Sequence, residues 1–93
     1  MNRKRIKLEV IRDILEVLNS NSNVKKTHII YKANLSNNSA KLYLGELLKN
    51  NFLEEFLNNG KKYFRITPKG NEFLREFNKM KVFSESFGLS LDN

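Results

Sequence analysis

Ninety-three residues accommodate one domain with a single modest core. Seventeen Lys and Arg against ten Asp and Glu leave a formal charge of +7, a balance that suits a polyanionic partner such as nucleic acid or an anionic membrane surface, although a solvated basic protein would share it. Cysteine is absent, which excludes a disulfide framework and a thiolate metal site. No run approaches the roughly eighteen apolar residues of a membrane span, and the opening residues lack the apolar core of a secretory signal, so no membrane partner and a cytoplasmic location are expected. Asparagine, lysine and isoleucine are all frequent, as in proteins from A/T-rich genomes.

The chain opens with Arg3, Lys4, Arg5 and Lys7 and no acid, an arm suited either to phosphates or to plain solvation. From Lys7 to Asn19 a helix is predicted. Its apolar residues Leu8, Val10, Ile11, Ile14, Leu15, Val17 and Leu18 form a stripe wider than one buried face needs, which implies packing against two surfaces, its own core and something else. The polar run Asn19 to Asn23 ends it, because these side chains compete for backbone hydrogen bonds. A short second helix is expected within 24–34, capped by Thr27, with Ile29, Ile30, Tyr31 and Ala33 as its apolar surface. Lys25 and Lys26 stand before it, within reach of backbone phosphates.

Residues 35–51 predict the third helix, with Ser36 as its N-cap. Ala40, Leu44, Leu47 and Leu48 form the inward stripe, while Asn37, Asn38, Lys41 and Lys49 lie off it and Glu46 is the one acid. Asn50-Asn51 stops the helix, since Asn tolerates the left-handed conformation. Two short helices joined by a tight turn at Asn34 to Ser36 fit the helix-turn-helix plan, in which the second helix enters the major groove and the first braces it. Taken alone, the third helix is equally readable as scaffold. Two aromatic-rich strands then flank Asn58-Asn59-Gly60, a strong hairpin signal, and Lys61, Lys62 and Arg65 lie on the return strand. A hairpin after a helix-turn-helix is the wing of a winged helix.

Thr67-Pro68 opens the last helix, Thr as cap and Pro where no N–H is needed. Phe73, Phe77, Met80, Ser84, Phe87 and Leu91 follow at spacings of 4, 3, 4, 3 and 4, a heptad seam with one polar break. A helix from residue 68 to about 88 is roughly 30 Å long, more than a small winged domain covers. Its far half therefore calls for a second copy of the chain, with Phe73, Phe77, Met80 and Phe87 as dimerisation residues; folding back onto helix 1 is the alternative. Val82 and Phe83 lie outside the strict seam, and Gly88 is placed to end the helix.

Three blocks, Lys25-Lys-Thr-His-Ile-Ile-Tyr-Lys-Ala-Asn-Leu35, Tyr43-Leu44 with Leu47-Leu48, and Tyr63-Phe-Arg-Ile-Thr-Pro-Lys-Gly70, resemble the archaeal winged-helix family typified by the ten-kilodalton chromatin-associated DNA-binding proteins of Sulfolobus. The likeness spans about residues 8 to 80. It implies an α+β, mostly helical fold: a winged helix-turn-helix domain over 1–67 and a C-terminal dimerisation helix over 68–93 that pairs as an antiparallel coiled coil. It also implies binding of duplex DNA with little sequence preference, in a nucleoid-associated, architectural role. By position, Asn37, Asn38 and Lys41 would face the major groove, and Lys61 and Lys62 would sit on the wing. The chain departs from the family pattern at Asn51, where Gly is commoner, and at Gly45, which weakens a helix by up to about 1 kcal/mol relative to Ala.

An enzyme is not expected, since there is one histidine, no glycine-rich phosphate loop and no converging set of acids and bases. No cofactor, metal or small-molecule substrate is expected either. The reading is a homodimeric double-stranded DNA-binding protein of chromatin type, with a sequence-specific transcriptional regulator as the alternative. A winged helix used only for protein interaction is the third possibility.

Overall fold

The computed structural model describes residues 5–89, and the elements follow the chain as α1 (Lys7–Ser20), α2 (Lys26–Lys32), α3 (Asn37–Lys49), β1 (Leu53–Asn58), β2 (Lys61–Ile66) and α4 (Pro68–Ser86). α1 spans the expected segment and runs one residue past Asn19. Its entry is held by Glu9, which is fully buried and accepts the Ile6 N–H at 2.9 Å. A glutamate three residues into a helix is placed to satisfy an amide that the helix itself leaves open.

α2 begins earlier than its side chains suggest. Lys25 is the N-cap, with no side-chain bond, and Thr27 lies inside the first turn rather than capping it. Val24 explains the difference: it bridges to Phe64 of β2 through N–H···O bonds of 3.3 and 2.7 Å, so the backbone is extended up to Val24 and turns helical directly after Lys25. That bridge also gives the hairpin a third, one-residue partner.

α2, α3 and α4 end in the same way. The residue after each C-cap has positive φ (Asn34 at 55°, Asn51 at 63°, Gly88 at 77°), and the next N–H reaches back into the last turn: Leu35 to Ile30, Phe52 to Leu47 and Leu89 to Ser84. These are Schellman endings, and they satisfy carbonyls the helices leave orphaned. The expected stops at Asn51 and Gly88 are both present. The hairpin turn has positive φ at Asn59 and Gly60, and its antiparallel register runs from Asn58↔Lys61 back to Leu53↔Ile66.

Ile14, Leu15 and Leu18 of α1, Val24, Ile29 of α2, Leu44 and Leu47 of α3, Leu53, Phe64 and Leu74 of α4 make the core. The broad stripe of α1 meets α2, β2 and α4, all parts of the protomer's own core. The Thr-Pro-Lys-Gly turn then ties α4 to the end of α3. Thr67 Oγ1 donates to the Asn51 carbonyl at 2.6 Å and accepts from the Gly70 N–H at 3.1 Å, and Lys69 Nζ donates to the Asn50 carbonyl at 2.8 Å. Gly70 is buried against this joint, where an added Cβ would press on the Phe52 carbonyl and stand 2.6 Å from Ile66 Cγ1.

α4 divides into two halves. Its first half packs on α1 and β2. Phe73 meets Phe52 edge to face at 5.6 Å, and Phe77, 4% exposed, lies under the Arg12 guanidinium. Phe77 is thus buried and Phe73 half-buried within the protomer's own packing. A heptad spacing reports a buried stripe and is silent about what buries it. Beyond them Met80, Val82, Phe83, Phe87 and Leu89 are exposed, and the Phe83 and Phe87 rings touch at 5.1 Å. Leu91, the last seam position, lies outside the described residues.

Candidate nucleic-acid interface

α3 is built to show one side. Ser36 Oγ accepts the Ser39 N–H at 3.0 Å, which fixes the helix start as expected. Ala40, Leu44 and Leu47 are buried, Tyr43 and Leu48 are half-buried, and Asn37, Asn38, Lys41, Leu42, Gly45, Glu46 and Lys49 are exposed. The three candidates Asn37, Asn38 and Lys41 thus stand together on the first turns of α3. Glu46, the acid of this helix, pairs with Lys7 of α1 at 2.7 Å, so its charge is countered at the flank of the exposed side. The same pair raises the Lys7 pKa, through the hydrogen bond first and the opposite charge second. Nothing in the sequence pattern joins Lys7 to Glu46.

Lys25 and Lys26 stand at the start of α2, both exposed. Lys25 Nζ lies 5.8 Å from the Tyr63 ring centroid, Tyr63 stacks on Phe56 at 5.9 Å, and the Arg65 guanidinium covers the other aromatic at 4.4 Å. This layered arrangement brings the pre-α2 lysine onto the wing, helped by the Val24 bridge. The wing is less basic than its return strand suggests. Arg65 is held by Glu54 at 2.5 Å and Lys62 by Glu55 at 3.8 Å. Among the described residues, Lys26, Lys41, Lys49 and Lys61 form no ion pair. Ammonium groups free of a protein carboxylate are the ones whose full charge a phosphate can use.

The described part of the basic arm is engaged within the protomer. Arg5 donates to Asp13 at 2.6 Å and to the Asn34 carbonyl at 2.9 Å, pinning the chain entry against the α2–α3 turn, and Lys7 is on Glu46. Arg3 and Lys4 lie outside the described residues. No group of acids and histidines suited to a metal ion occurs among the described residues, and no described helix is long and apolar enough to cross a membrane.

The fold and the exposed face of α3 define a winged helix-turn-helix protein, and the chain belongs to that family: the winged helix-turn-helix family model matches residues 4–85. Among solved structures it is similar to Sso10a-2, a DNA-binding protein from Sulfolobus solfataricus, with a TM-score of 0.77, 26% identity, and 89% of this chain and 85% of that one covered. The fold is also that of the PcaV transcriptional regulator from Streptomyces coelicolor, at a TM-score of 0.66 and 14% identity over 82% of this chain and 60% of that one. Lactococcus lactis ZitR matches at a TM-score of 0.69 and 15% identity, over 94% of this chain and 62% of that one. The uncharacterized protein MJ0290 of Methanocaldococcus jannaschii is 35% identical over 77 residues, which are 83% of this chain. This chain spans about a third of that relative, 34% of its length.

Proposed function

We propose that the chain is a homodimeric protein that binds double-stranded DNA in an architectural manner, with low sequence preference and no small-molecule substrate, in the cytoplasm at the nucleoid. α3 enters the major groove, and the wing and the start of α2 lie along the backbone. The observation that carries this reading is the exposed side of α3: two amides and two unpaired lysines on a winged-helix scaffold, with the one acid countered by Lys7. The description of Sso10a-2 as DNA-binding supports it. Affinity then comes mainly from Lys26, Lys41, Lys49 and Lys61 releasing counterions, so binding weakens steeply with salt. The second copy docks through Met80, Phe83 and Phe87, an exposed apolar row on the half of α4 that the head does not cover.

The second reading is a sequence-specific regulator, favoured by Asn37 and Asn38, whose exposed amides suit bidentate contacts to adenine. A gel-shift series across salt, with a candidate site competing against scrambled duplexes, separates the two. A specificity ratio above about a thousandfold selects the regulator, and absence of any shift at low salt removes both.

A further inference from the structure

α3 carries two residues that its own fold does not explain, and they are neighbours on one face. Opposite the buried Ala40, Leu44 and Leu47, the outward line of the helix at i, i+4, i+7 and i+11 reads Asn38, Leu42, Gly45 and Lys49. Leu42 is 74% exposed at the centre of this line. Next to it, Gly45 has no atom within 4 Å of where a Cβ would stand, so no close approach inside the protomer calls for glycine. Its φ is not in the left-handed region either, and glycine inside a helix is a weaker choice than alanine. An isolated exposed leucine is ordinary on a protein surface. A leucine and a bare backbone side by side, on a face edged by free lysines, together describe a contact.

Building on the DNA-binding reading above, we propose that Leu42 packs on the 5-methyl group of thymine in the major groove, and that Gly45 is where α3 comes closest to the DNA. The charges match this occupant, since Lys41 beside the line and Lys49 at its end are unpaired and Glu46 is neutralised by Lys7. The major groove is wide enough for a helix, and the thymine methyl is the one apolar group on its floor. Asn38 and Leu42 then sit one turn apart, an amide for adenine and a methyl contact for its thymine partner. The result is preference by A/T content rather than for one sequence, which is compatible with an architectural protein.

The test is a titration of the full chain, at fixed salt, with a short A/T-rich duplex and with the same duplex carrying deoxyuridine at every thymine. Base pairing and charge are the same in both, and only the methyl groups differ. The wild type is expected to bind the uracil duplex more weakly, by about fourfold for each methyl group buried. Leu42→Ala is expected to lose affinity for the thymine duplex and to bind both alike, which separates loss of the contact from any change in DNA shape. Gly45→Ala is expected to melt at a higher temperature yet bind both duplexes more weakly. Equal binding of the two duplexes by the wild type, or unchanged discrimination by Leu42→Ala, overturns the thymine contact. Undiminished binding by Gly45→Ala overturns the close approach. If no duplex binds at low salt, the DNA-binding reading fails and this inference falls with it; binding without discrimination removes the inference alone.

Discussion

Lys7 and Glu46 show how a residue outside the candidate site shapes it. Glu46 occupies the flank of the exposed side of α3, where an unbalanced carboxylate would repel phosphate, and Lys7 reaches it from α1 at 2.7 Å. Replacing Lys7 by Ala is expected to weaken duplex binding, more so at low salt, and Glu46→Gln in the same chain is expected to restore it. Titrations of the three proteins at two salt concentrations check this; no rescue by the glutamine would mean that Lys7 acts through its own phosphate contact. The pair also sets a pH expectation. The Lys7 pKa is raised in the folded protein, so the stability it contributes is complete below the unfolded-state value near 10.5 and is lost only as pH rises through the higher folded value. Melting temperatures between pH 7 and 9 should therefore show nothing from this pair. Both side chains are well exposed, which keeps its contribution to stability small.

Among the elements, the wing turns on ion pairing rather than on composition. Lys61 and Lys62 are adjacent in sequence, but they point to opposite faces of β2, and of the two only Lys62 pairs with a carboxylate, that of Glu55. If the wing lies along the DNA backbone, Lys61→Ala should reduce the slope of log affinity against log salt by about one phosphate contact, and Lys62→Ala by less, because its charge is already shared. Salt titrations of the two variants measure this directly, and equal slopes would place the wing elsewhere. The Phe56–Tyr63 stack under Lys25 and Arg65 holds the hairpin in shape whichever surface it meets.

For the molecule as a whole, α4 joins two tasks in one helix. Nineteen residues give it a length of about 28 Å, and the molecule is correspondingly elongated, 49 Å by 32 Å by 21 Å. Its first half completes the head through Phe73, Leu74 and Phe77, and its second half presents Met80, Phe83 and Phe87 to solvent. The two halves predict opposite outcomes for the same kind of substitution. Phe77→Asp places a charge in the core and should unfold the chain, at a cost of several kcal/mol. Phe87→Asp, at a site 68% exposed, should leave the circular dichroism of the head intact and give a monomer in light scattering. A dimer of unchanged mass in Phe87→Asp would remove this row from the interface. Because Thr67 and Lys69 bond the two carbonyls that directly follow α3, a partner held by α4 would also hold the two α3 helices at a set separation.

Local chemistry made much of this protein readable in advance. Ser36 as a cap, Asn51 and Gly88 as left-handed stops, Asn59-Gly60 as a turn and Pro68 at a helix start all act within a few residues, so order along the chain was enough to lay out helix, turn, helix, hairpin and long helix. The inward stripe of α3 was legible for the same reason, and so was its complement, the exposed side carrying Asn37, Asn38 and Lys41. What only the tertiary structure decided involves partners far apart in sequence. Val24 moved the start of α2 by pairing with Phe64; Glu54 and Glu55 took up two of the wing's cations; Lys7 countered Glu46; and α1 covered Phe77. Periodicity records which side of a helix is apolar, and charge counting records how many cations exist. Neither says which distant residue comes to meet them, because that is settled by packing the elements into a shared core.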